Sequence, residues 1–203
     1  ELAIVDPPYG IGDKFKGGKS GKMNFNEIVE KRWDDVPDEA YFSELFRVSK
    51  NQIIWGGNYF NLPPSRCFIV WDKWDKLIAE NFSLAMAELA WTSFDKLTKI
   101  KRLPTPKDGL KIHPTQKPIA LYKWLLSNYA KPGDKILDTH VGSASSLIAC
   151  HQMGFEYWGF ELDADYYKAA TERLNKVKAQ VSMTELIEQV IPEQVTIGGE
   201  YGH

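Results

Sequence analysis

The stretch LAIVDPPY, from Leu2 to Tyr9, constrains the fold more tightly than any other part of the chain. Leu2 to Val5 is an unbroken apolar run, the pattern of a strand buried on both faces, as in parallel sheets covered by helices. Pro7 and Pro8 stop it, because neither carries an N–H for a strand ladder and each fixes φ. An acid, Asp6, and an aromatic ring, Tyr9, are thereby held at the carboxyl end of a strand. In open α/β sheets, ligands bind outside those ends.

The rest of the chain alternates in the same sense. Val36 to Val48 is expected to be a helix, with Pro37 in its first turn and Ala40, Phe42, Leu45, Phe46 and Val48 on one face. NQIIWGG, CFIVWD and AELAWTSF read as strands, and Lys96 to Ile112 as a long loop or hairpin arm. IALYKWLLSNYA is a helix ended by KPGD, KILD a strand, and SASSLIACHQMG a helix closed by Gly154. YWGFEL is a strand, ADYYKAATERLNKVKAQ a helix, and from about Val181 one further short helix leads to a Gly-rich end. The β-α-β-α order predicts an α/β fold: a Rossmann-like, doubly wound, mostly parallel sheet with right-handed crossovers. With 203 residues, 43% of them hydrophobic, one domain is expected. Its parts are residues 1–95, a basic loop over 96–112, a second half over 113–180 and a tail over 181–203.

Composition narrows the function. Two cysteines, Cys67 and Cys150, make neither a disulfide framework nor a metal pattern, which predicts a reducing, cytoplasmic setting. His140 and His151 have no companions at metal-ligand spacing, so no metal is expected. No apolar stretch approaches transmembrane length. The chain opens on Glu1, almost inside a strand, so further sequence upstream is expected. Net charge is −2, but it is unevenly spread. Asp13 to Lys22 holds four lysines and one acid, Lys96 to Lys117 seven basic residues and one acid, and the remainder carries −11. An acidic body with two basic loops can steer a polyanion to one face.

The second half has the pattern of a cofactor site. ILDTHVGSASSLIAC places Asp138 at a strand end, then a Gly-Ser turn, then a helix start. Glu161 follows near the end of the next strand, where an acid can bind two ribose hydroxyls. The GxGxxG of dinucleotide enzymes is missing, and GGKSGK fails as a P-loop because its earlier glycine falls on Asp13. A nucleoside without phosphates fits better.

Three blocks in this order, DPPYG at Asp6–Gly10, HPTQKP at His113–Pro118 and LDTHVGSAS at Leu137–Ser145, resemble the amino-methyltransferases of DNA. With Asp-Pro-Pro-Tyr ahead of the cofactor turn, the order resembles their circularly permuted beta subgroup, and the likeness runs from Asp6 to about Arg173. The resemblance implies S-adenosylmethionine as cofactor, double-stranded DNA as partner and N6 of a flipped adenine as target, with restriction–modification among the family's settings. It also implies a homodimer. Asp6, Pro7, Pro8 and Tyr9 then form the catalytic block. Asp138, Gly142 and Ser143 match the cofactor turn, Glu161 the acid on the ribose, and Thr115 with Lys117 the group that holds the methionine carboxylate. His113 is expected to be structural.

Chemistry gives the same residues a purpose. An exocyclic amino nitrogen is a poor nucleophile, since its lone pair is delocalised into the ring. Asp6 and the Pro7 carbonyl can accept its two N–H groups, with Pro8 fixing the turn that aims them. Tyr9 offers a face on which an extruded base can stack.

The chain also departs from the family. Thr139, His140, Ala144 and Ser145 replace the usual Pro, Phe, Gly and Thr, and Ala144 adds a methyl where close backbone approach is expected. The segment before HPTQKP is short, which implies a short recognition site, relaxed specificity or help from another subunit. The family's upstream acidic segment, which would touch the cofactor's adenine, is expected to precede the sequence given. Alternatives are N4-cytosine methylation, more often carried out with Ser in place of Asp6, a silent DNA-binding module, and methylation of RNA or protein.

Overall fold

The computed structural model describes residues 1–11, 35–73, 85–104, 112–113 and 115–190, the last ten of them as backbone alone. The basic stretch Asp13–Lys22 lies outside the described residues.

Among the described residues, seven strands form one sheet: β1 Leu2–Val5, β2 Asn51–Trp55, β3 Phe68–Asp72, β4 Ala87–Thr92, β5 Lys99–Arg102, β6 Lys135–Asp138 and β7 Glu156–Gly159. Their order across the sheet is β5-β3-β4-β2-β1-β6-β7. The helices among the described residues are α1 Glu39–Val48, α2 Ile119–Tyr129, α3 Ser145–Gln152 and α4 Ala164–Val190, with a 3-10 turn at Gly57–Tyr59. β1 is the hinge of the topology. It pairs in parallel with β2, Leu2 opposite Asn51 through Val5 opposite Ile54, and with β6, Leu2 opposite Ile136. From β1 the chain winds through α1 to β2 on one side, and from β6 through α3 to β7 on the other. The crevice between the carboxyl ends of β1 and β6 is therefore a topological switch point, where doubly wound sheets bind ligands.

Period-two alternation sends each strand's side chains to opposite faces. Leu2, Ile4, Ile53, Trp55, Ile69 and Trp71 pack beneath α2 and α3 residues such as Leu121, Leu125 and Ala149. Ala3, Val5, Ile54 and Trp91 meet Phe42 and Leu45 of α1 on the other face. Helices thus cover both faces, as the apolar β1 run required. A third cluster, Val141, Ala144, Leu147 and Ile148 against Ala170 and Leu174, joins α3 to α4.

The elements depart from the sequence reading in four places. β4 runs antiparallel to both of its neighbours, which hydrophobic pattern alone cannot reveal. Part of the expected loop over 96–112 is β5, paired in parallel with β3. It is an edge strand whose residues are mostly exposed, so no buried face imposes a visible period, and its lysines suit an unpaired edge. α1 starts two residues after Pro37, because the Asp38 carboxylate accepts the Tyr41 N–H at 2.9 Å and caps it. α4 continues to Val190 without the break expected near Val181; no glycine or proline interrupts it.

Gly57 lies where the turn after β2 presses on β4. A Cβ there would sit 2.3 Å from Trp91 Cβ and 3.0 Å from the Trp91 backbone nitrogen. Gly57→Ala must displace strand backbone and should cost about 1–3 kcal/mol, the range for overpacking a rigid site, read as a lowered urea midpoint at unchanged slope.

Candidate active site

Asp6 leaves the end of β1 half-buried, and both of its carboxylate oxygens have protein partners. Oδ1 accepts the Tyr9 hydroxyl at 2.6 Å, and Oδ2 accepts from the Lys117 ammonium. Burial, and after it the Asp6 carboxylate, raise the Tyr9 phenol well above its usual range, so Tyr9 stays a donor. Its ring stacks on Tyr59 with centroids 5.1 Å apart and planes 16° from parallel. Gly56 makes room for that ring. It takes a left-handed φ of 68°, and a Cβ on it would lie 2.2 Å from the Tyr9 ring.

Lys117 is no surface side chain, being only 2% exposed. Its ammonium lies 3.1 Å from Glu88 Oε2 and 5.1 Å from the Trp55 ring centroid. The other Glu88 oxygen pairs with Lys73. Burial pulls the Lys117 ammonium down, but Asp6 and Glu88 outweigh it and hold the group above the ordinary lysine value. Burial likewise pushes Glu88 up, and Lys117 with Lys73 outweigh it, so the acid stays ionised.

Across the switch point, Asp138 ends β6 and holds the following turn from inside. It is 2% exposed, its Oδ1 accepts the His140 N–H at 2.9 Å and its Oδ2 accepts the Ser146 hydroxyl. Glu161, two residues past the end of β7, accepts the Gly142 N–H at 2.8 Å and the Asp163 N–H at 3.0 Å. Gly142 has φ 51° and Ala144 φ 60°, the only non-glycine residue with positive φ among the described residues. The Ala144 methyl is buried in the α3–α4 cluster. A left-handed L-residue costs about 1–2 kcal/mol, and that strain is local to the turn. Ser143 is buried, its hydroxyl 3.0 Å from that of Ser145.

His113 lies against the Gly142 turn. Its ring would lie 3.4 Å from a Cβ on Gly142 and packs edge-on against Tyr166 at 4.4 Å. Thr115 is exposed, its hydroxyl 3.1 Å from His113 Nδ1. On the α1 side, the Tyr41 hydroxyl meets Thr139 Oγ1 at 2.7 Å. Among the described residues, no group of three or more His, Cys, Asp or Glu is arranged to hold a metal ion.

The fold thus gathers Asp6, Tyr9 and Lys117 on one side of the crevice, and Asp138, Gly142, Ser143 and Glu161 on the other. Four contributors were not singled out from the sequence. Glu88 shares its strand face with the buried Ala90 and Thr92, and an acid in that register is the signal that marks it. Gly56 and Tyr59 shape the Tyr9 side. Arg173 anchors the turn from α4, donating to the Ser143 carbonyl at 2.6 Å and the Ser145 hydroxyl at 2.9 Å. No local pattern announces it.

Burial raises the Asp138 carboxyl from 3.8 to about 6, against the pull of Ser146 and the His140 N–H. A raised acid binds its proton more tightly in the folded chain, so it favours the fold at low pH, and that contribution is lost as pH rises through about 6. Asp138→Asn does not titrate. The stability of the parent relative to this variant should therefore fall by about 3 kcal/mol, to order of magnitude, between pH 4 and 7. Urea unfolding of both proteins across that range measures it, and a flat difference would mean that Asp138 titrates alike in both states.

The DNA methylase family of N6/N4 methyltransferases matches residues 54–172. A relative, "Putative methylase YubD" of Escherichia coli (strain K12), is 36% identical over 206 positions, covering 88% of this chain and 83% of its own. Two solved structures share the fold. One is the PvuII DNA methyltransferase, described as cytosine-N4-specific, with TM-score 0.52, 12% identity and coverage of 89% of this chain and 85% of its own. The other is the M1.HpyAVI–SAM complex, with TM-score 0.51, 21% identity and coverage of 86% and 88%. The family match over more than half of the chain and the relative's 36% identity along most of it show that the chain belongs to the S-adenosylmethionine-dependent DNA methylases of the N6/N4 type.

Proposed function

We propose that the protein methylates N6 of an adenine turned out of a DNA duplex. The observation that carries this reading is the Asp6 carboxylate, held by Tyr9 and Lys117, on the strand beside the one that leads into the Gly142 turn. An amino group presented there meets a carboxylate aimed by its surroundings and not by its own flexibility.

The residues of the turn suit S-adenosylmethionine. Each carboxylate oxygen has two lone-pair sites, so Glu161 can hold the turn's N–H groups and still accept from ribose hydroxyls. Gly142 offers bare backbone, and Thr115 an exposed hydroxyl for the amino-acid end. Asp138 acts from within, by shaping the turn. The cofactor supplies an electrophilic sulfonium methyl and leaves as a neutral thioether. Asp6 accepts one N–H of the target amino group and the Pro7 carbonyl the other, which draws the nitrogen toward tetrahedral geometry and frees its lone pair. Positive charge developing on that nitrogen strengthens the bond to Asp6. After transfer the nitrogen loses one proton to water. Stacked rings at Tyr9 and Tyr59 give the extruded base an aromatic surface.

Digested DNA should contain N6-methyladenine after treatment; N4-methylcytosine alone would reassign the target base. Asp6→Ala and Asp6→Asn should slow single-turnover transfer at saturating cofactor by about a hundredfold or more, with little change in cofactor affinity. Glu161→Ala should weaken cofactor binding and leave the saturated rate closer to that of the parent. Parent-like transfer by Asp6→Ala would reduce the Asp-Pro-Pro-Tyr turn to scaffolding.

For DNA contact, the described residues of the second basic stretch include Lys99, Lys101 and Arg102 on β5. Several have internal partners: Lys99 Nζ meets Asn128 Oδ1 at 2.7 Å, Arg102 pairs with Asp72 at 2.7 Å, and Lys101 lies over Trp124. If phosphates compete for Lys101 and Arg102, alanine at both should flatten the plot of log affinity against log salt by up to about two units. An unchanged slope would leave these side chains as fasteners of the sheet edge.

A further inference from the structure

We infer that Lys117 and Glu88 are positioning residues for the amino-group acceptor: Glu88 holds the Lys117 ammonium on Asp6, and Lys73 neutralises Glu88 from behind. The inference rests on the reading of Asp6 given above and assigns Lys117 to the acceptor, where the family resemblance assigns it to the cofactor's carboxylate.

Four charged groups form one chain of contacts, Asp6–Lys117–Glu88–Lys73. They come from four places in the sequence: the end of β1, the second residue before α2, β4, and the residue after β3. Formal charges cancel along it, two acids against two bases. Lys117 is the most buried member, with 2% of its side chain exposed, against 14% for Asp6, 23% for Glu88 and 17% for Lys73. An ammonium so buried cannot leave Asp6 without taking away the cation that pairs with that carboxylate, and uncompensated buried charge is strongly unfavourable. The Trp55 ring beneath it is a further attraction that favours the same position.

This arrangement has a use in the reaction. Two N–H groups must find acceptors in fixed directions, and a freely rotating carboxylate would dilute that geometry. Asp6 has one oxygen tied to the Tyr9 hydroxyl and the other to Lys117, so its plane is set from two sides. Each oxygen keeps a lone pair for an incoming N–H. Glu88 makes no contact with Asp6 in this chain and acts through Lys117. Removing its charge lets the ammonium drift, and with it the carboxylate.

The test compares the parent with Glu88→Gln, Lys117→Met, Asp6→Asn and the Asp6→Asn/Glu88→Gln double variant. Each is measured for single-turnover methyl transfer to DNA and for equilibrium binding of S-adenosylmethionine, with thermal unfolding to show that each is folded. Glu88→Gln keeps the shape of the side chain and guards against a Lys117→Met variant that does not fold. The expected result is a rate at least about tenfold lower in Glu88→Gln with cofactor affinity within about twofold of the parent. In the Asp6→Asn background the same substitution should have little further effect, since residues acting through one group are not additive. A Lys117→Met variant that binds cofactor weakly but transfers at the parent rate once saturated would return Lys117 to the cofactor's carboxylate and overturn the inference. Full additivity of Glu88→Gln with Asp6→Asn, or a parent-like rate in Glu88→Gln, would overturn it too. A parent that methylates no DNA at all would sink the reading of the site itself, an outcome distinct from an active parent whose Glu88 variant is unaffected.

Discussion

Placement of β1 between β2 and β6 is the constraint on which the rest depends. All four of its residues pair with β2, Leu2 and Ala3 pair with β6 as well, and its side chains enter both faces, so the strand belongs to both halves of the protein at once. Its carboxyl end is where the chain's two winding directions diverge. A two-proline stop there converts a buried strand into a rigid pedestal, and Asp6 inherits its direction from backbone that cannot relax. The glycine turn after β6 stands beside it for the same reason, because β6 is the other parallel partner of β1.

Electrostatics on the two sides of the crevice follow different logic. On the Asp6 side, buried charges are matched by opposite charges, and the ammonium of Lys117 stays protonated because two carboxylates outweigh its desolvation. On the Asp138 side, the acid has only hydroxyl and N–H partners, and burial lifts it toward neutrality. The first arrangement keeps the Lys117 ammonium and the Glu88 carboxylate charged. The second ties a loop to a strand end, a task that either protonation state can serve in part. A carboxylate can therefore be buried in one small crevice in two ways, with opposite consequences for its proton.

Departures from the family turn look milder in three dimensions than in one. Ala144 sits where the resemblance expects glycine, and the chain accommodates it as a left-handed residue whose methyl enters the α3–α4 cluster. Arg173 braces the turn on either side of that position, at Ser143 and Ser145. His140, in place of the usual phenylalanine, packs edge-on against Tyr41 at 5.3 Å, which ties the turn to α1 on the opposite face of the sheet.

Local pattern was enough for the elements whose signals are local. The apolar run and prolines of LAIVDPPY, the glycine at 142 after a strand, and the uninterrupted helix former ADYYKAATERL each carry their conformation within a few residues, because strand burial, proline geometry and helix propensity act at that range. Asp6, Tyr9, Asp138 and Glu161 could be placed at strand ends on those grounds. The orientation of β4, the existence of β5 and the partners of Lys117 could not. An antiparallel strand and a parallel one show the same alternation, and an exposed edge has no buried face to mark it. The lysine of HPTQKP reads as a partner for the cofactor's carboxylate until the acids opposite it are known. Glu88 lies 29 residues before Lys117 in the chain and Asp6 lies 111 before it. Only the sheet order, which sets β4 and β1 on either side of β2, brings the three charges within bonding distance.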